Sequence, residues 1–109
     1  MANIGLAQHV FDVERRRNER ELVYLRTTIR LDDQSRVPVE LVNISRTGFM
    51  ARTDAPLTEE TRLHIGLPVA GELSARVVWT LGGRIGAEFR HPIDAASYFT
   101  LIASLPRGD

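Results

Sequence analysis

A chain of 109 residues with 43% apolar and 26% charged side chains holds one domain around one modest core. It has no cysteine, which excludes disulfides and thiolate metal sites, and no apolar run nears the length of a bilayer span. Net charge is zero, so no global field collects nucleic acid or anionic membrane, and no signal-peptide pattern is present; the expectation is a cytoplasmic domain without membrane insertion.

Residues 1–13 show no clear period and read as a flexible N-terminal arm. Val13 to Glu21 is dense in charge. All 14 basic residues of the chain are arginine, and four of them, Arg15, Arg16, Arg17 and Arg20, fall within six positions here. Such a run is either a solvated linker with local ion pairs or an anion grip.

Leu22 to Leu31 alternates, with Val23, Leu25, Thr27, Ile29 and Leu31 on one face, as a half-buried strand does. Asp32 to Ser35 is a turn. Val37 to Ile44 is a second strand, and Pro38 confines its start to an edge or to the first residues. Ile44 falls out of phase, which predicts a bulge or a change of direction where the polar loop Asn43 to Gly48 begins, and Gly48 permits a positive φ there. Phe49 to Thr53 is a third strand. Leu63, Ile65 and Leu67 mark a fourth, and Leu73, Ala75, Val77 and Trp79 a fifth. Gly82-Gly83 signals a tight hairpin into a sixth, with Ile85, Ala87 and Phe89 in phase.

Past Pro92 the period becomes helical. Asp94 is a good N-cap, and Ala95, Tyr98, Phe99, Ile102 and Leu105 form one stripe before Pro106 and Gly108 end the helix. Six short strands followed by one helix read as a mainly β fold, a small antiparallel barrel with a C-terminal α-helix.

The chemistry begins with the arginines. A guanidinium is planar, always charged and presents paired donors that suit phosphate oxygens or the O6/N7 edge of guanine. Within the run only Arg16 and Arg20 have the four-residue spacing that wraps one compact ligand. Arg26 and Arg30 share it but read as a solvated strand face. In the loop, Asn43 carries an amide and Ser45 a hydroxyl that can read a purine edge, and Gly48 lets a flat base approach; taken alone, these residues form a β-turn that satisfies its own backbone. Trp79 reads as a core or barrel-mouth residue, or as a stacking wall for a base. Arg46, in the loop, reads as an exposed loop arginine, or as an added phosphate contact. The three histidines have no metal-ligand spacing, and no nucleophile-base-acid set stands out, so neither a metal site nor catalytic residues are expected.

The two motifs in this order, Arg15-Arg16-Arg17-Asn18-Glu19-Arg20 before the first strand and Asn43-Ile44-Ser45-Arg46-Thr47-Gly48 after the second, resemble the signature of the PilZ family. The resemblance runs from about Glu14 to Leu105 and includes Ala75-Arg76-Val77-Val78-Trp79 and Arg84-Ile85-Gly86-Ala87-Glu88-Phe89 as the last two strands. It implies a domain over residues 14–105, with 106–109 as a C-terminal tail, and a six-stranded PilZ-type barrel.

What the resemblance implies for function is a receptor for the bacterial second messenger cyclic di-GMP, which catalyses nothing, needs no cofactor and signals to a protein partner by changing conformation. Arg16 and Arg20 would grip guanine edges and phosphates. Asn43 and Ser45 would bond a guanine, with Gly48 allowing its approach. Arg15 goes with two stacked, intercalated nucleotides per chain. Besides an enzyme, for which no constellation is found, two rivals stand beside this reading. One is an interaction module of the same fold without nucleotide binding. The other is a barrel for single-stranded nucleic acid, which wants more exposed aromatics than the 6% present here.

Overall fold

The structure, a computed structural model, describes residues 19–108. Among these residues seven elements follow one another: β1 (Glu21–Leu31), β2 (Arg36–Ile44), β3 (Gly48–Arg52), β4 (Arg62–Leu67), β5 (Gly71–Leu81), β6 (Arg84–Phe89) and α1 (Ala95–Ser104). The strands close into a barrel in the order β1-β2-β3-β6-β5-β4, and every pairing is antiparallel. The mainly β fold expected from the periodicities is therefore the fold observed. Among the described residues no helix is long and apolar enough to cross a membrane.

Period-two alternation builds the interior. Ile29, Leu41, Ile44, Phe49, Ile65 and Val77 point inward and are fully excluded from solvent. Phe49 and Phe89 meet across β3 and β6 with ring centroids 5.6 Å apart. The β5–β6 connection uses Gly82 and Gly83 at φ of 58° and 79°, the doubly positive pattern that suits a two-residue hairpin. Pro38 pairs only with Thr28 of β1, because the ladder to β3 begins at Glu40; the strand tolerates a residue without an N–H there.

The barrel does not close evenly. β1 meets β4 through three residue pairs only, Ile29 to Leu31 against Ile65 to Leu63. Further toward its start, the edge of β1 is covered by residues 106–108. Tyr24 donates its N–H to Pro106 O at 2.8 Å, and Gly108 donates to Leu22 O at 3.3 Å. The expected tail thus lies along β1, with a single antiparallel bridge between Val23 and Arg107.

Asp94 caps α1 as expected. Its carboxylate accepts from the Ser97 N–H at 2.9 Å and from the Ser97 hydroxyl at 2.8 Å. The Ser97 backbone N–H, then the hydroxyl, hold this carboxyl below the usual range. The buried stripe differs from the expected one. Tyr98, Leu101 and Leu105 are buried, while Phe99 is 69% exposed. The Tyr98 hydroxyl donates to Ile44 O at 3.1 Å and so fixes the rotation of the helix. Leu101, one turn on, then comes inward, and Phe99, about 100° around the axis, turns out.

Candidate ligand-binding site

Arg15 and Arg16 lie outside the described residues; Arg20 lies within them. Its Nη1 donates to Asn43 Oδ1 at 2.8 Å, across 23 positions of sequence. The pairing of β1 with β2 makes this contact, because Glu21 stands opposite Ile44 and Leu22 opposite Asn43. Fold closure alone therefore joins the end of the arginine run to the first residue of the polar loop. With Oδ1 engaged, the amide's NH2 is the group left to face a ligand.

The loop is held by Ser45, which is 1% exposed. Its hydroxyl accepts from the N–H groups of Thr47 and Gly48, each at 3.2 Å, and lies 3.1 Å from Thr47 Oγ1. The Ser45 N–H also donates to Gly48 O at 2.8 Å. Ser45 satisfies its own turn and organises it. Gly48 does not take the positive φ expected of it. Glycine is required there because a Cβ would overlap the carbonyl oxygen of Ala87 on β6. Its open side faces that strand, which lets β3 and β6 approach.

Arg46, read as an exposed loop arginine or an added phosphate contact, is half-buried and bonded within the fold. Its Nε donates to Ile93 O at 2.7 Å, and Ile93 N–H donates back to Arg46 O at 2.8 Å. Together with Tyr98, which bonds the carbonyl of Ile44, this fastens the loop to the segment that leads into α1. Burial pushes the Tyr98 hydroxyl up to about 12, with Glu21 and Glu19 adding to the shift. The roles of Tyr98 and of the paired hydrogen bonds between Arg46 and Ile93 are not legible in the sequence: helical phase marks Tyr98 as a core residue and nothing in it points at the loop.

Trp79 departs most from expectation. It was placed in phase with Leu73, Ala75 and Val77, but a bulge at Val78 shifts the register between Val77 and Trp79. One extra residue turns everything after it to the other face. Trp79 consequently pairs with Gly86 on the outside of the barrel, half-buried. Its indole lies over Gly86, where any Cβ would overlap the ring. A second bulge, at Val42 of β2, places Asn43 on the same outer face.

One cross-strand row therefore runs from Asn43 through Met50 and Gly86 to Trp79. Strand spacing sets its length at about 14 Å. One end is the Arg20–Asn43 pair and the other an aromatic face. The row is a floor with a cation–amide pair at one end and an aromatic ring at the other. Of the expected site residues, Arg20, Asn43, Ser45 and Gly48 come together; Trp79 stands at the far end of the floor. Arg30, read as strand surface, is held by Glu72 at 2.6 Å.

No curated protein matches the chain. The family model of the PilZ domain matches residues 14–105, from the arginine run to the last buried residue after α1. With that match over most of the chain, and with the barrel and loop already described, the chain belongs to the PilZ domain family.

Proposed function

We propose that this chain is a receptor for cyclic di-GMP that passes the binding event to a protein partner and performs no reaction of its own. The observation that carries the reading is the 2.8 Å bond between Arg20 and Asn43, which joins the two halves of the motif. In this reading Arg20, with Arg16 four residues before it, grips phosphate oxygens and a guanine edge. The NH2 group of Asn43 donates to the guanine acceptors. Ser45 and Gly48 set the shape of the loop rather than reading the base. Trp79 offers the face on which a second base stacks, and Arg15 stacks within a pair of intercalated nucleotides.

Signalling follows from attachment. The loop that borders the ligand is tied through Arg46 and Tyr98 to Ile93 and α1. A ligand that re-seats Arg20 and Asn43 pulls on a segment already fastened to the helix, and the outer surface of the helix is what a partner would read.

Titration of cyclic di-GMP into the full chain, followed by calorimetry, tests the reading. Saturable binding that weakens about ten- to a hundredfold in Arg20→Ala is the expected result, the loss of one charge-assisted contact. Trp79 is the only tryptophan, so its emission reports the same event independently. Absence of heat from a folded protein would leave the interaction module without nucleotide binding as the better account. That second reading draws on Ser45, whose hydroxyl is turned into its own turn.

A further inference from the structure

Directly opposed arginines on one sheet face repel each other, and a fold can offset this with neighbouring carboxylates. Three cross-strand arginine pairs occur among the described residues: Arg30 with Arg36, Arg62 with Arg76, and Arg52 with Arg84. Two are screened. Arg30 meets Glu72 at 2.6 Å, and Arg76 meets Glu60 at 2.9 Å and Glu88 at 3.8 Å. Arg52 and Arg84 have no ion pair or hydrogen bond from their side chains among the described residues. Glu40 stands across from Arg52 on β2, yet no ion pair joins the two.

The position of this pair gives it a meaning. Arg52 and Arg84 are the next outward pair after Met50 and Gly86 on the same two strands. Two residues of strand put them about 7 Å along from the surface that carries the Trp79 indole. Both are exposed, and both side chains are long enough to return to the edge of that floor. An aromatic face with two unscreened guanidinium groups beside it is the chemistry that takes a base together with its phosphate.

We propose that Arg52 and Arg84 form a phosphate clamp at the Trp79 end of the floor, holding the phosphate of the nucleotide whose base lies on the indole. The proposal rests on the cyclic di-GMP reading and extends it. The phosphate gives this pair the ion pairs that it does not make among the described residues. Affinity for the ligand then includes relief of the Arg52–Arg84 repulsion, and the site has two anion grips, one at Arg20 and one at β3–β6.

The test is calorimetric titration of cyclic di-GMP into the full-length wild type, the double variant Arg52→Gln with Arg84→Gln, and Arg62→Gln. The last belongs to a different arginine pair on the β4 side. The double variant should bind about ten- to a hundredfold more weakly, with a melting temperature equal to or above that of the wild type. It should also lose part of the salt dependence of binding. Arg62→Gln should bind as the wild type does. Unchanged affinity in the double variant overturns the clamp while leaving the receptor intact, and so does an equal loss in Arg62→Gln, which would mean a diffuse charge effect. No binding by the wild type overturns the receptor reading and the clamp with it.

Discussion

At the β2–β3 turn the polar groups are answered from within the chain, whereas the facing guanidinium groups of Arg52 on β3 and Arg84 on β6 are left to solvent. The Ser45 hydroxyl, the Arg46 Nε and the Tyr98 hydroxyl each have a partner in the fold. Two residues past the floor, Arg52 and Arg84 oppose each other, and neither makes an ion pair among the described residues. The difference separates two tasks. A buried polar group left unpaired is costly, so the turn is fully bonded and therefore stiff. An exposed cation costs little to leave open, so recognition capacity can be stored on the strands at small expense in stability.

Substitutions at the turn should consequently be costly for folding, and those at the arginine pair nearly silent. The largest effect is expected from Gly48→Ala. The added methyl meets backbone of β6, which cannot swing aside, and about 3 kcal/mol should be lost in urea denaturation. A near-neutral result would break the comparison at its firmest point. Next comes Ser45→Ala, which leaves the N–H groups of Thr47 and Gly48 without their acceptor; about 2 kcal/mol is expected by the same measurement.

Tyr98→Phe should cost about 1 kcal/mol by removing the bond to Ile44 O. It also has a pH signature. The folded hydroxyl is pushed up to about 12, above an unfolded value of about 10. The folded state thus holds its proton longer than the unfolded chain does. The contribution is complete below about pH 10 and is lost as pH rises through about 12. Wild-type stability should fall over that alkaline interval, and the variant should lack that part of the fall. The smallest effect is expected from Arg52→Gln alone, within about 0.5 kcal/mol of wild type. A loss as large as that of Ser45→Ala would show that the pair is structural and erase the contrast.

The placement of the strands, the Gly82-Gly83 hairpin and the Asp94 cap were all legible in the sequence, because each depends on local chemistry or on an unbroken period. The bulge at Val42 was announced by Ile44 falling out of phase. The bulge at Val78 was not, since Leu73, Ala75, Val77 and Trp79 keep perfect alternation in letters while the register slips between them. Periodicity cannot distinguish an inward tryptophan from one turned out by a single extra residue. Likewise, Phe99 and Leu101 are equally plausible members of a helical stripe; only the Tyr98 bond to a distant carbonyl decides between them. For the site, the residue types were readable and their division of labour was not. Whether a serine or a glycine in a short loop serves the ligand or the turn depends on what lies behind it, here β6.

The covering of β1 by residues 106–108 has a kinetic consequence. The first strand of the barrel completes its open edge with residues some eighty positions later in the chain, as Val23 meets Arg107. Helix formation and the β5–β6 hairpin can proceed locally, but this closure is among the most sequence-distant the fold contains. High contact order of this kind places folding in roughly the millisecond-to-second range. Until the last residues arrive, Leu22 to Tyr24 present an unpaired strand edge, open to pairing with another chain.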